Sequence, residues 1–372
     1  TVSVSRNILK NAMGVGIPGT DMVGLPIAVA LGALCGDAGA GLAVLHNITD
    51  EDVAQAQKLV DAQGVQVRLS DHPQKLYIDV LAEAGEHSAR TVIAGTHTNI
   101  IRIEKDGQCI STGDGAEKRN FNYFFPKEID DFVRSVSSEK LNFLRECIDM
   151  NSAISQEGLE HPYGLGIGQS IYETLPENNS EENYALAVTC AAADARMGGC
   201  TLPVMSSCGS GNQGLTATLP VIAVARKRGL SEEDTFRALA YSLLVTIHVK
   251  QHLGKLSALC ACSVGASIGT ACALTYLDGG TLQQIGHCVD NVVADVSGVI
   301  CDGAKAGCAL KIATGVSSAF RGAMLAMKNR NASALDGIVG HDPEASVDNL
   351  GNLCNTGMLD TDRVILDMLV CK

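Results

Sequence analysis

The sequence is built from small residues. It carries 39 glycines among 372 positions and no tryptophan, and only 4% of it is aromatic, yet 46% is hydrophobic. Such a chain has few large side chains with which to fill the space between elements. Its core must be Ala, Val, Leu and Ile, with backbones in close approach wherever glycine removes a side chain. The hydrophobic fraction, set against 19% charged residues, excludes disorder over most of the length. The length suits two domains.

The same small residues decide the one segment that resembles a membrane span. Residues 256–277 (LSALCACSVGASIGTACALTYL) carry no charge. A span needs about 20 strongly apolar residues, and here Ala, Ser, Gly, Thr and Cys dominate. The expectation is a buried helix in a close-packed helical region. Lys plus Arg number 28 and Asp plus Glu 41, a net charge of −13. That balance argues against a nucleic-acid partner and against an anionic membrane surface. The 14 cysteines are irregularly spaced along a long chain. Disulfide frameworks belong to short secreted domains, so reduced thiols in the cytoplasm are expected.

Residues 1–125 read as α+β and 126–372 as mainly all-α. Thr1–Leu9 alternates and reads as a strand. A Gly/Pro-rich loop follows at Gly14–Gly24, then a helix over Leu25–Leu34 and another over Asp50–Gln63 with Thr49 or Asp50 as cap. Val65–Leu69, Leu76–Leu81 and Thr91–Ile103 read as strands, the last with a polar interruption at Thr96–Asn99. A polar, glycine-rich and then aromatic stretch at Ile110–Phe125 marks the change of character. Beyond it, helical periodicity or Ala-rich runs cover Lys127–Val136, Glu139–Gln156, Ser180–Arg196, Leu215–Lys227, Ser231–Gly254, Leu282–Val299, Ala304–Leu325 and Asp360–Val370. Apolar helical surfaces of this kind suit a homodimer.

Several groups of residues can carry chemistry. Cys301 and Cys308 flank the turn DGAKAG (302–307), and Cys260 lies upstream in KLSALC (255–260). Three thiolates meeting at glycine-rich turns can hold an iron–sulfur cluster or a zinc ion; the competing reading is that they are small buried hydrophobes. In 205–216 (MSSCGSGNQGLT), Ser206, Ser207, Ser210, Gly211 and Asn212 precede a helix whose free N–H groups can bind a carboxylate; the competing reading is a loop with a serine cap. His97 sits with Thr98 and Asn99 in the polar interruption, which suggests a site facing inward from a strand, where His97 can serve as an acid/base group or a carboxylate anchor; the competing reading is a satisfied strand-end histidine. Pro18, Gly19 and Thr20, in the loop Pro18–Met22, form a candidate anion-binding turn; the competing and favoured reading is a plain connecting loop. His248 and His252 are four apart on a helix, but no glutamate follows the zinc-protease spacing, so they read as helix-face residues. Cys371 reads as an incidental terminal thiol.

Eight segments together resemble one family: 18–28 (PGTDMVGLPIA), 95–100 (GTHTNI), 155–159 (SQEGL), 193–199 (ADARMGG), 206–221 (SSCGSGNQGLTATLPV), 255–260, 296–311 (VSGVICDGAKAGCALK) and 337–342 (GIVGHD). The chain looks like the L-serine dehydratase alpha-chain and L-cysteine desulfidase family, nearest the single-chain desulfidase-like branch. The resemblance implies a cytoplasmic, PLP-independent lyase with an oxygen-sensitive [4Fe–4S] cluster on Cys260, Cys301 and Cys308. It implies β-elimination on a small amino-acid substrate: L-cysteine to pyruvate, ammonia and hydrogen sulfide, or L-serine to pyruvate and ammonia. A non-catalytic iron–sulfur or thiol sensor is the alternative. Members of the family begin with a further segment bearing a Gly-Cys-Thr-Glu-Pro-like motif, which this chain is expected to lack.

Overall fold

The structure, a computed structural model, describes residues 1–113, 125–254 and 256–371. Two readings fall partly outside the described residues: most of the boundary stretch 110–125, and Lys255 at the head of the KLSALC segment.

The chain opens with a strand shorter than the alternation predicts. Strand β1 covers Val2–Val4, and helix α1 takes Arg6–Ala12. The break comes at Ser5, whose hydroxyl donates to the Lys75 carbonyl and ties the end of β1 to the neighbouring strand. Helices α2 (Leu25–Cys35) and α3 (Asp50–Asp61) follow. Thr49 starts α3 with a capping box, its side chain accepting from the Asp52 amide while the Asp52 carboxylate accepts in return.

Strands β2 (Val67–Leu69), β3 (Tyr77–Ala84), β4 (His87–Ala94), β5 (Ile100–Lys105) and β6 (Gln108–Thr112) complete a six-stranded sheet in the order β2-β1-β3-β4-β5-β6. Only β1 and β2 run parallel. The single interrupted strand expected over Thr91–Ile103 is a hairpin. Gly95 takes a positive φ of 78°, and the Asn99 amide donates back to the Ala94 carbonyl, closing the turn between β4 and β5. Strand β6, every residue of which is exposed, lies in the stretch read as a polar boundary. With neither face buried, it has no hydrophobic alternation to announce it.

The rest of the chain is helical: α4 (Lys127–Ser135), α5 (Leu144–Glu160), α6 (Ile167–Glu173), α7 (Glu181–Met197), α8 (Gly211–Arg228), α9 (Glu232–Leu253), α10 (Gly265–Leu277), α11 (Leu282–Val296), α12 (Cys308–Met327), α13 (Pro343–Asn352) and α14 (Thr361–Val370). An α+β portion followed by a mainly all-α one is the expected class. Three helices start away from their predicted positions: α5 begins at Leu144, after a separate turn of 3-10 helix over Ser138–Leu141, α8 begins four residues early, and α12 begins at Cys308 because residues 302–307 form the turn.

Glycine does here what the composition demands. A methyl group on Gly158 of α5 would lie 2.0 Å from the Ala191 carbonyl oxygen, and one on Gly168 of α6 would lie 2.2 Å from the Ala191 nitrogen. Helix α7 is thus clamped by backbone on both sides. Helix α10 meets α9 the same way, through Gly269 against the Ser242 carbonyl. The uncharged stretch 256–277 ends as this buried interior helix, and among the described residues no helix is long and apolar enough to cross a membrane.

The N-terminal segment crosses onto the helical portion at one place. The Gly16 amide donates to the Met197 carbonyl at 2.9 Å, Gly14 pairs with Lys305, and Lys10 Nζ donates to the Cys301 carbonyl at 2.9 Å. Lys10 is almost wholly buried and also meets Asp362 of α14 at 2.6 Å. Residues 10–16 therefore lie across the end of α7 and against the turn before α12.

Candidate active site

Two separate stretches of chain are joined by a short antiparallel bridge between Leu259 and Ile300. The Cys260 amide donates to the Val299 carbonyl at 2.8 Å, and the Cys301 amide donates to the Ala258 carbonyl at 2.7 Å. This bridge sets Cys260 beside Cys301, although they stand 41 positions apart in the sequence. Cys308, the first residue of α12, is returned to the same place by the turn 302–307. That turn is pinned: Asp302 pairs with Lys305 at 2.5 Å and with Lys311, whose ammonium also donates to the Ile300 carbonyl. Burial would raise the Asp302 carboxyl, but the two lysines outweigh it and hold the group down to about 2. Gly303, at φ 102°, allows the Lys10 carbonyl to pass where a side chain would stand.

A fourth thiol, which the motif reading does not single out, completes the pocket. Cys262 lies in the turn before α10, receives a hydrogen bond from Cys260, and meets Ser210 Oγ at 3.5 Å. The Cys260 hydrogen bond lowers its pKa to about 6 against the opposing effect of burial, helped by Ser210, Lys250 and Arg196. The Cys260 thiol is correspondingly pushed well up, and burial raises Cys308. Each of Cys260, Cys262 and Cys308 responds electrostatically to others of the group, Cys301 included.

Two cations face these sulfurs. Lys250 of α9 is buried, its ammonium pushed below its ordinary range by desolvation, with the Cys262, Cys208 and Cys301 thiols as neighbours that oppose the shift. Arg196, near the end of α7, is lowered by burial, faces Cys262 and Cys308, and donates to Asn212 Oδ1 at 3.1 Å. Neither has a carboxylate partner among the described residues. The low-lying Cys262 thiol is the anionic group both cations face, and a further anion arriving there would gain from both charges.

The serine–glycine loop supplies the rim. Ser207 and Ser210 exchange backbone hydrogen bonds, and Ser210 Oγ caps α8 through the Gln213 amide at 3.3 Å. Ser206 is exposed and Ser207 buried. Gly211 exists to admit Arg196, since a methyl there would lie 2.3 Å from Arg196 Nε. The wholly buried Gln213 amide has no nitrogen or oxygen partner among the described residues and lies beside the Cys208 thiol.

The remaining predicted residues divide. His97 and Thr98 are exposed at the tip of the β4–β5 hairpin rather than facing inward from a strand. The tip reaches the loop nonetheless: His97 Nδ1 is 3.7 Å from the position a side chain on Gly209 would take. Asn99 spends its amide closing its own turn. Pro18 and Gly19 are exposed, and Thr20 Oγ1 donates to the Ile17 carbonyl, so the turn 17–22 is internally satisfied. It approaches the pocket through Gly16 and Ile17, packed on Met197–Gly199 beyond Arg196. Cys371 is exposed at the end of α14.

The donor set suits an iron–sulfur cluster. Cys260, Cys301 and Cys308 are soft ligands on turns, one is buried, and Lys250 and Arg196 can offset the negative charge that a thiolate-bound cluster carries.

The chain also matches known proteins along nearly its whole length. The family described as serine dehydratase alpha chain matches residues 39–367. A UPF0597 protein of Bacteroides fragilis is 42% identical over 379 residues, covering 100% of this chain and 88% of its own. One from Aeromonas hydrophila is 42% identical, covering 100% and 87%, and one from Clostridium tetani 41%, covering 99% and 88%. The matched span contains all four thiols, both cations and the serine–glycine loop, and by it this chain belongs to the serine dehydratase alpha chain family.

Proposed function

We propose that the protein is a PLP-independent lyase that performs β-elimination on a small amino acid, most readily L-cysteine, giving pyruvate, ammonia and hydrogen sulfide. The observation that carries the reading is the convergence of Cys260, Cys301 and Cys308 on a pocket holding two cations without carboxylate partners, rimmed by the N-terminus of α8.

Cys260, Cys301 and Cys308 would hold a [4Fe–4S] cluster, whose iron lacking a protein ligand supplies Lewis acidity toward the substrate. The chain's own residues do the rest. Arg196, oriented by Asn212, receives the substrate carboxylate, and the Ser207–Ser210 loop and the first amides of α8 add hydrogen bonds. Lys250 lends positive charge as negative charge builds on the carbanion side of the transition state. His97, at the rim beside Gly209, takes the α-proton. Removal of water by burial strengthens each of these interactions. Sulfide is a better leaving group than hydroxide, which favours cysteine. The family match favours the second reading, L-serine to pyruvate and ammonia.

The test is pyruvate and sulfide release from L-cysteine, with L-serine in parallel, by full-length protein prepared without oxygen. Cys301→Ser should lose iron-dependent absorbance and activity together. An iron-free Cys301→Ser protein that stays active would overturn the proposal.

A further inference from the structure

The two histidines that read as helix-face residues meet a carboxylate that the sequence gives no reason to pair with them. His248 and His252 stand one turn apart on α9, and α13 lays Glu344 across both. His248 Nε2 is 2.8 Å from Glu344 Oε2, and His252 Nε2 is 3.6 Å from Glu344 Oε1. The ligand atoms of the three residues all lie within 4.8 Å of one another. In a tetrahedral zinc site, with metal–ligand bonds of about 2.1 Å, neighbouring nitrogen and oxygen ligands stand about 3.4 Å apart. The two observed separations, each to a different oxygen of the one carboxylate, fall either side of that value, so an ion enters with shifts of about half an ångström.

The surroundings hold the ligands in place. His252 Nδ1 meets Asp348 Oδ1, also on α13, at 2.9 Å, which presents Nε2 to Glu344. Imidazole ligands ordinarily carry such a carboxylate on the second nitrogen, where it fixes the tautomer and raises basicity. The His248 ring is stacked on Phe125 at 4.6 Å and meets the His252 ring edge-on at 4.8 Å. His248 is buried, while His252 and Glu344 reach solvent, so an ion has a way in and a place for a water ligand.

We propose that His248, His252 and Glu344 form a site for a divalent transition-metal ion of the zinc type, distinct from the cysteine pocket. Lys250 faces the thiols, and on a helix of 3.6 residues per turn it points away from residues two positions to either side. The two sites therefore use opposite faces of α9. The ligand set is nitrogen and oxygen only, and it joins α13 to α9; the bound ion fastens the two helices and braces the one that carries Lys250. The inference does not depend on the reaction proposed above.

Cobalt(II) is the probe, added to the full-length protein, because thiolate ligation gives a near-ultraviolet charge-transfer band that nitrogen and oxygen ligands do not. One equivalent should bind with visible d–d bands and no thiolate band, and should raise the thermal midpoint. Cys301→Ser should keep that equivalent. Glu344→Gln, which can still hydrogen-bond both imidazoles and preserve the fold, should weaken it at least tenfold and lose the metal-dependent rise. Asp348→Asn should weaken it about tenfold, the usual range for an outer partner of a histidine ligand. Cobalt uptake that is equal in native and Glu344→Gln protein, or that shows only the thiolate band, would overturn the site.

Discussion

Gly211→Ala puts the pocket's geometry to a quantitative test. The added methyl would lie 2.3 Å from Arg196 Nε, 2.7 Å from Arg196 Cζ and 2.8 Å from Val204 Cγ2. Ordinary contact is about 3.5 Å or more, so the guanidinium must retreat by about an ångström. Helix α8 cannot yield instead, because Gly214 already rests on the Met205 carbonyl, where a methyl would lie at 2.1 Å. Overpacking of this kind costs roughly 1–3 kcal/mol of stability. The functional loss is larger than that strain implies. A retreat of an ångström breaks the 3.1 Å bond to Asn212 and misaligns the carboxylate receptor. A misplacement of that size lowers rate by about 100-fold. The assay is anaerobic pyruvate release, with kcat and KM resolved, alongside the thermal midpoint. A double-mutant cycle with Arg196→Lys isolates the pair, since residues in contact should be non-additive by 0.5 kcal/mol or more, in the usual range of about 0.5–3 kcal/mol. If Gly211→Ala loses stability but keeps kcat/KM within threefold, or if the two substitutions simply add, Arg196 is not the carboxylate receptor.

Two further consequences are independent of the reaction, and a third is not. Gly158→Ala should destabilise the fold by about 3 kcal/mol or more, because the methyl meets backbone of α7 that no rotamer change can clear; urea unfolding reads this directly, and a loss under 1 kcal/mol would refute the clamp. Asp290 is buried and its carboxyl is raised by desolvation from 3.8 to about 6, with the Ser346 hydroxyl donating to it at 2.6 Å. The folded protein thus holds a proton there that the unfolded chain releases, so this group's contribution falls as pH rises from about 4 through 6. Asp290→Asn should remove that loss, stabilising by up to about 3 kcal/mol at pH 7.5 and progressively less toward pH 5; a difference that does not change with pH would refute it. Lys250→Met should abolish turnover while leaving or raising the thermal midpoint, since it removes a desolvated cation without a carboxylate partner; a large fall in the midpoint would give Lys250 a structural role instead.

Much of this protein was legible before its structure. Local patterning is enough for Thr49 and the start of α3, for the α/β-to-helix change, and for the turn between Cys301 and Cys308, because caps, periodicity and glycine turns are short-range signals. The small-residue composition foretold close helix packing, and Gly158, Gly168 and Gly269 deliver it. The hairpin at Gly95–Asn99 and the exposed strand β6 were not legible: an apolar run on either side of a polar turn resembles one strand, and an exposed strand lacks a buried face.

What only the tertiary structure decided is which chemistry meets. Pairing of Leu259 with Ile300 sets Cys260 beside Cys301, and nothing in the local sequence of either segment specifies the other. Cys262, Lys250 and Arg196 join the same pocket from the turn before α10 and from the helices α9 and α7, and Glu344 reaches two histidines almost a hundred residues away. Secondary structure is written in neighbours along the chain, but a site is written in neighbours across it, and those are fixed by helices packed on Val, Leu, Ile and Ala, with glycine where backbones touch.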